Sequence, residues 1–246
     1  MNRISRLYAS SIGKKFVVAV TGIVLFGFIA GHMAGNLKVF TGTSGDGVPH
    51  IDEYGQFLKT FGTPILPKML GLWIARTVLL ASFVLHILTV ILLSRQNQAA
   101  RPIPYIESRK RASSLSARWM MVSGLVILGF VVLHILHFTT GTIQIGDPSF
   151  EHGYVYNNLS GSFSVWYVAI SYTIVMVMLG FHLYHGVWSL FQTLGFDSPD
   201  YNKTIRTVAV AFTVVITVGF ILVPLSFMLG MMPSPVEYDH TLLDSH

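Results

Sequence analysis

The chain has no cysteine and very little charge. None of its 246 residues is Cys, which excludes disulfides, thiolate zinc sites, iron–sulfur ligation and the C-x-x-C-H attachment of covalent haem. Charged residues make up 11%, against roughly 25% in soluble domains. Asp and Glu are missing from every long apolar run, and no glycine-rich dinucleotide fingerprint is present. What the chain does have is apolar length. Hydrophobic residues account for 52%, gathered into five stretches of about 20 residues or more, the length that crosses a bilayer.

These stretches predict spans at approximately 16–37, 69–93, 119–140, 165–190 and 207–231. In lipid every backbone polar group must be satisfied internally, so the spans are expected to be helices. Short alternating segments of the kind a β-barrel needs are not seen. The expected fold is all-α, a five-helix transmembrane bundle, with residues 1–246 forming a single integral-membrane unit and no sizeable soluble domain. The first apolar run is too long for a cleavable signal and lacks a small-residue cleavage pattern, so it is expected to remain.

Basic residues predict the orientation. Arg3, Arg6, Lys14 and Lys15 precede the first span. Arg95, Arg101, Arg109, Lys110, Arg111 and Arg118 lie between the second and third, and Lys203 and Arg206 before the fifth. These twelve face only Lys38, Lys59 and Lys68 on the other side. The bias puts the N-terminus in the cytoplasm and the C-terminus outside. It also accounts for the net charge of +5 without nucleic acid, because no basic face carries base-reading or stacking residues. The run Arg109-Lys110-Arg111 suits anionic lipid or a docked protein, and an ordinary positive-inside flank looks the same.

Six of the ten histidines fall inside spans: His32, His86, His134, His137, His182 and His185. Ionisable groups in a membrane are costly and point to a site. Each lies late in its own span, and successive spans run in opposite directions. The histidines of spans one and three therefore meet near the outer side, and those of two and four near the inner side. Two levels of facing imidazoles suit two bis-histidine b-type haems stacked across the bundle. The fifth span, without histidine, should only cover the bundle. Gly27, Gly31 and Gly35 recur every four residues beside the ligand face, either to admit a flat macrocycle or as a small-residue packing stripe. Gly180 and Gly186 bracket the histidines of the fourth span. His134 and His137 are three apart, as are His182 and His185, and periodicity does not choose within either pair.

At this point the residues carry a resemblance. Ser10-Ser11-Ile12-Gly13-Lys14-Lys15, Thr21-Gly22 and Gly31-His32-Met33-Ala34-Gly35-Asn36-Leu37 resemble the opening of the cytochrome b subunit of succinate dehydrogenases and fumarate reductases. The single-anchor, five-helix, two-haem branch is the nearest. His182-Leu183-Tyr184-His185-Gly186-Val187-Trp188-Ser189, with Phe191-Gln192-Thr193-Leu194-Gly195 after it, resembles the fourth-helix signature. Ser82-Phe83-Val84-Leu85-His86 and Leu133-His134-Ile135-Leu136-His137-Phe138 fit the second and third helices. The likeness covers the first four spans and fades in the third loop and the C-terminal tail.

The resemblance implies one axial histidine from each of those spans: His32 with His134 for the outer haem, and His86 with His185 for the inner one. His137 and His182 are the alternates. It implies a dihaem membrane anchor of a succinate:quinone oxidoreductase in a bacterial cytoplasmic membrane, passing electrons between an iron–sulfur subunit and quinone. Menaquinone is the usual quinone of this branch. A soluble flavoprotein would handle succinate and fumarate, so this chain alone is not the succinate catalyst. Two other readings stand beside it: the cytochrome b anchor of another quinone-linked dehydrogenase or hydrogenase, and a histidine-lined metal transporter. Against the transporter stands the lack of intramembrane carboxylates.

Three further residues complete the expectations. Quinone chemistry moves protons, so Glu53, then Asp52, is a candidate proton group in the first external loop. The same two acids would also suit the start of a short surface helix running toward Gly62. Arg76, a turn or two into the second span, has the forked guanidinium that suits a haem propionate.

Overall fold

The computed structural model describes residues 8–100, 115–145, 150–196 and 198–233. Arg3, Arg6, Arg101, Arg109, Lys110 and Arg111, which entered the sequence reading, lie outside them. Five helices are long and apolar enough to cross a membrane, and no strand occurs among the described residues. They are α1 (Ser11–Asn36), α3 (Leu70–Ala99), α4 (Leu115–His134), α6 (Trp166–Thr193) and α7 (Pro199–Met228). Two short helices were not in the span count: α2 (His50–Thr60) and α5 (Val155–Phe163). The fold is that expected, a helical bundle with five membrane-length members, and it fits an integral membrane protein.

The helix ends follow from local chemistry. Ser10 Oγ accepts the Gly13 N–H at 3.0 Å and starts α1 five residues before the apolar run. Ser198 does the same for α7, accepting the Asp200 N–H at 3.3 Å, with Pro199 following in the first turn. Hence α7 begins eight residues upstream of the expected 207: its first two turns are polar and escape a hydropathy reading. The end of α4 departs from α-geometry. Residues Ile135–Thr139 form a π turn, with the Thr140 N–H donated to Ile135 O at 2.9 Å. Such one-residue insertions often occur at functional sites.

Antiparallel pairing is fixed by polar contacts at the helix ends. Lys14, buried despite its charge, donates from Nζ to Ala9 O at 2.7 Å and to Gln96 Oε1 at 3.0 Å. This ties the start of α1 to the end of α3. The Arg206 guanidinium lies 4.6 Å from the Trp188 ring, tying the start of α7 to the end of α6. We call the side where α1 begins the near side; α2 and α5 lie on the far side.

The bundle consists of two hairpins, α1–α3 and α4–α6, with α7 packed along α6 and touching α1. Gly180 of α6 lets Thr217 of α7 approach, since a Cβ there would sit 2.6 Å from Thr217 Oγ1. The far-side core joins Ile51 of α2 and Tyr156, Leu159 and Phe163 of α5 to Val168, Tyr172, Val223 and Phe227. Asp52 seals this junction. It is 1% exposed, and its Oδ1 accepts the Tyr156 N–H at 2.9 Å in the first turn of α5. A carboxylate at a helix N-terminus satisfies an orphan donor and suits the dipole.

Candidate functional site: two levels of paired histidines

The site lies between the two hairpins, which touch each other directly along α1 and α6. Neither α1 and α4 nor α3 and α6 make extended backbone contact among the described residues. Yet these are the helices whose histidines were expected to face one another, and side chains reach across the gap between them.

On the far side His32 of α1 faces His134 of α4. Their ring centroids are 5.8 Å apart and their planes cross at 78°. A metal held by one nitrogen of each ring at about 2 Å would put the centroids about 6 Å apart. The His134 Nδ1 is buried with no hydrogen-bond partner, an uncommon state for a buried polar atom. The rest of the surroundings is aromatic. Phe28 stacks on His32 at 5.3 Å and Phe130 on His134 at 5.6 Å. Phe220 lies 5.9 Å from His32, so α7 does more than cover the bundle: it supplies one wall of this level.

His137 is separated from His134 by the π turn. The extra residue turns its ring toward α5 and α6, where both nitrogens are occupied. Nδ1 pairs with Tyr172 Oη at 2.9 Å and Nε2 with Ser162 Oγ at 3.1 Å. The ring is 3% exposed. The common face inferred from the three-residue spacing holds for a straight α-helix and is broken here. His137 borders a small cleft at the far mouth, with Gln144, Asn158 and Ser162 also lining it.

On the near side the two hairpins repeat one arrangement. Thr21 Oγ1 of α1 donates to Val17 O at 2.8 Å and lies 3.0 Å from His86 Nδ1 of α3. Ser123 Oγ of α4 donates to Met120 O at 3.0 Å and lies 3.3 Å from His182 Nδ1 of α6. Each hydroxyl is followed by glycine, and a Cβ on Gly22 or Gly124 would lie 3.7 Å from Cε1 of the same imidazole. His185 makes no hydrogen bond among the described residues and is half-buried.

Other residues singled out in the sequence are placed elsewhere. Of the glycine stripe, Gly35 is a packing position, because a Cβ there would meet Tyr54 at 2.5 Å. Gly27 and Gly31 have nothing within 4 Å, as does Gly186 beside His185. Arg76 is exposed, with its guanidinium 5.2 Å from the Trp73 ring. Asp52 is committed to the α2–α5 junction. Glu53 lies half-buried in the first turn of α2, in the short surface helix that was the other expectation for these acids. His50 caps the turn before it, with Nδ1 3.1 Å from Thr41 O.

Sequence reasoning did not find Tyr172, Ser162 or Ser123 and gave Thr21 no role. One signal was present: a hydroxyl–glycine step stands eleven residues before His32 and again eleven before His134. Among the described residues no three His, Cys, Asp or Glu side chains cluster to hold a metal ion; the imidazoles come in pairs. The far-side pair, with its orphaned His134 nitrogen, fits a group held by two imidazoles. Comparison with protein-family models, with curated proteins and with solved structures returned no match for this chain.

Proposed function

We propose that the chain is the dihaem cytochrome b anchor of a succinate:quinone oxidoreductase. The observation that carries this reading is the far-side cross-hairpin pair, His32 facing His134, to which we add, from the repeated hydroxyl–ring arrangement, His86 with His182 on the near side. Each is drawn from helices that do not otherwise pack. His182 is preferred to His185, because only His182 has the hydroxyl-held Nδ1 and the glycine neighbour that His86 also has. His137 is not a ligand in this reading, since both of its nitrogens are already bonded.

When bound, b-type haems supply one-electron transfer at two depths of a core about 30 Å thick. The protein's part is to hold, orient and insulate. The four imidazoles present a neutral nitrogen to iron. Phe28, Phe130 and Phe220 exclude water from the far level, and burial of this kind tunes a redox potential. On the near side the short basic connections face the cytoplasm, by the positive-inside bias, and would carry the iron–sulfur subunit and its flavoprotein partner. On the far side Glu53 is the candidate proton group for quinone, with menaquinone favoured by the branch resemblance, and Arg76 is the candidate propionate contact. Asp52 is withdrawn from the proton role by its place in the α2–α5 junction. The membrane proposed is a bacterial cytoplasmic membrane.

The test is optical. The purified chain should show a b-type α-band on reduction, and pyridine-haemochrome analysis should return two haems per chain. A colourless chain with intact helical content would refute the reading.

A further inference from the structure

We infer that Thr21 and Ser123 are positioning residues that fix the tautomer and ring orientation of His86 and His182, one in each hairpin. The inference rests on the haem reading above and concerns how this chain prepares its near-side pair. A neutral imidazole has one N–H and one lone pair, and which nitrogen carries the proton is set by what the other atoms around it require. Each hydroxyl has a single proton. Thr21 gives its proton to Val17 O, and Ser123 gives its own to Met120 O. At the ring both oxygens therefore have only lone pairs to offer, which makes Nδ1 of His86 and of His182 the donor; the Val18 carbonyl is a second acceptor for His86, and Ser123 with His182 is the simpler case. Nε2 is left as the basic nitrogen of both rings.

Hydroxyls in apolar helices commonly bond back to a carbonyl one turn earlier, and that habit alone would place no histidine nearby. Here the arrangement occurs twice. The same register, eleven residues ahead of the far-side histidine of the same helix, puts a hydroxyl against Nδ1. The glycine beside it lets Cε1 of that ring come within 3.7 Å of where a Cβ would stand. The helix thus offers an acceptor and the room to use it. Neither far-side ring has a hydroxyl at Nδ1, and the His134 Nδ1 has no partner at all. The two levels differ in this respect.

An acceptor at Nδ1 makes the ligating nitrogen more basic and favours ferric iron; its loss should raise the potential. The experiment is a potentiometric titration of haem absorbance in the full chain. It compares parent, Thr21→Val, Thr21→Ser, Ser123→Ala and Ser123→Thr, with His86→Ala marking the near-side wave by its loss. Thr21→Val and Ser123→Ala should each shift the near-side wave to a more positive potential. Each should also weaken near-side haem retention about 10–100-fold, with the far-side wave unmoved. Thr21→Ser and Ser123→Thr should restore parental behaviour. Ser123→Ala carries the test alone if Thr21→Val does not fold. An unmoved near-side wave with parental loading overturns the inference, and so does equal movement of both waves, the mark of a packing defect. A parent without haem overturns the functional reading itself, and this one with it.

Discussion

His32 and His86 sit at opposite depths on different helices of one hairpin, so their loss should be separable. His32→Ala is expected to remove the far-side haem and leave the near-side one, and His86→Ala to do the reverse. Each loss is read as a halved pyridine-haemochrome yield at unchanged helical content. His137 should behave differently although it is only three residues from His134. Both of its nitrogens are bonded inside the far-side core, to Tyr172 and Ser162. His137→Leu would leave those hydroxyls unsatisfied at a cost of about 1–3 kcal/mol. It should therefore lower the thermal midpoint in detergent while keeping two haems, whereas His134→Leu should lose one. That His32 and His134 face one another was legible in the sequence, from their depths in antiparallel-running spans. The choice within each closely spaced pair of histidines was not. His134 and His137 are distinguished only by the π turn, and no residue pattern in Ile135–Thr139 announces it. The preference for His185 over His182 rested on a likeness in the sequence around it. The hydroxyl–ring contacts that favour His182 join α4 to α6 across 59 positions of chain.

At the scale of elements, the close pairing of α6 with α7 depends on the missing side chain at Gly180. Gly180→Ala would place a Cβ 2.6 Å from Thr217 Oγ1, and overpacking of this kind costs about 1–3 kcal/mol. Thr217 Oγ1 is itself buried without a partner, so Thr217→Ala alone should be nearly neutral. The pair Gly180→Ala/Thr217→Ala should recover most of the lost stability, and thermal unfolding of the four proteins checks the cycle. The five long helices were readable from apolar length alone because in a bilayer that length has a single regular solution. α2 and α5 were harder. They are short and amphipathic, and their stability comes from tertiary contacts such as Asp52 with Tyr156, which join segments 104 positions apart. For α2 the sequence did offer the acids of its first turn as a hint. For α5, Val155–Phe163, there is neither a side-chain cap nor an acidic first turn. Its capping carboxylate comes from another helix.

For the molecule as a whole, the proposed ligand pairs have a consequence for how the protein is made. Each pair takes one histidine from the α1–α3 hairpin and one from the α4–α6 hairpin. During synthesis His32 must wait for His134, and His86 for His182, so the far level can close only after the third span is inserted and the near level only after the fourth. If the proposal holds, the cofactors would add two ties between halves of the chain that otherwise meet along α1 and α6 and through α7. A group that binds only the assembled form adds stability in proportion to the logarithm of its free concentration over its dissociation constant. Cells starved of haem should therefore accumulate a chain whose hairpins are both inserted but separate readily. A cross-link between cysteines introduced at Gly27 and Gly129, on helices α1 and α4, should form at a different rate in starved and replete membranes. Equal rates would mean that helix packing, α1 on α6 and on α7, and not the cofactor, holds the halves together. Unequal rates would make haem supply a checkpoint on the amount of anchor present as well as on its colour.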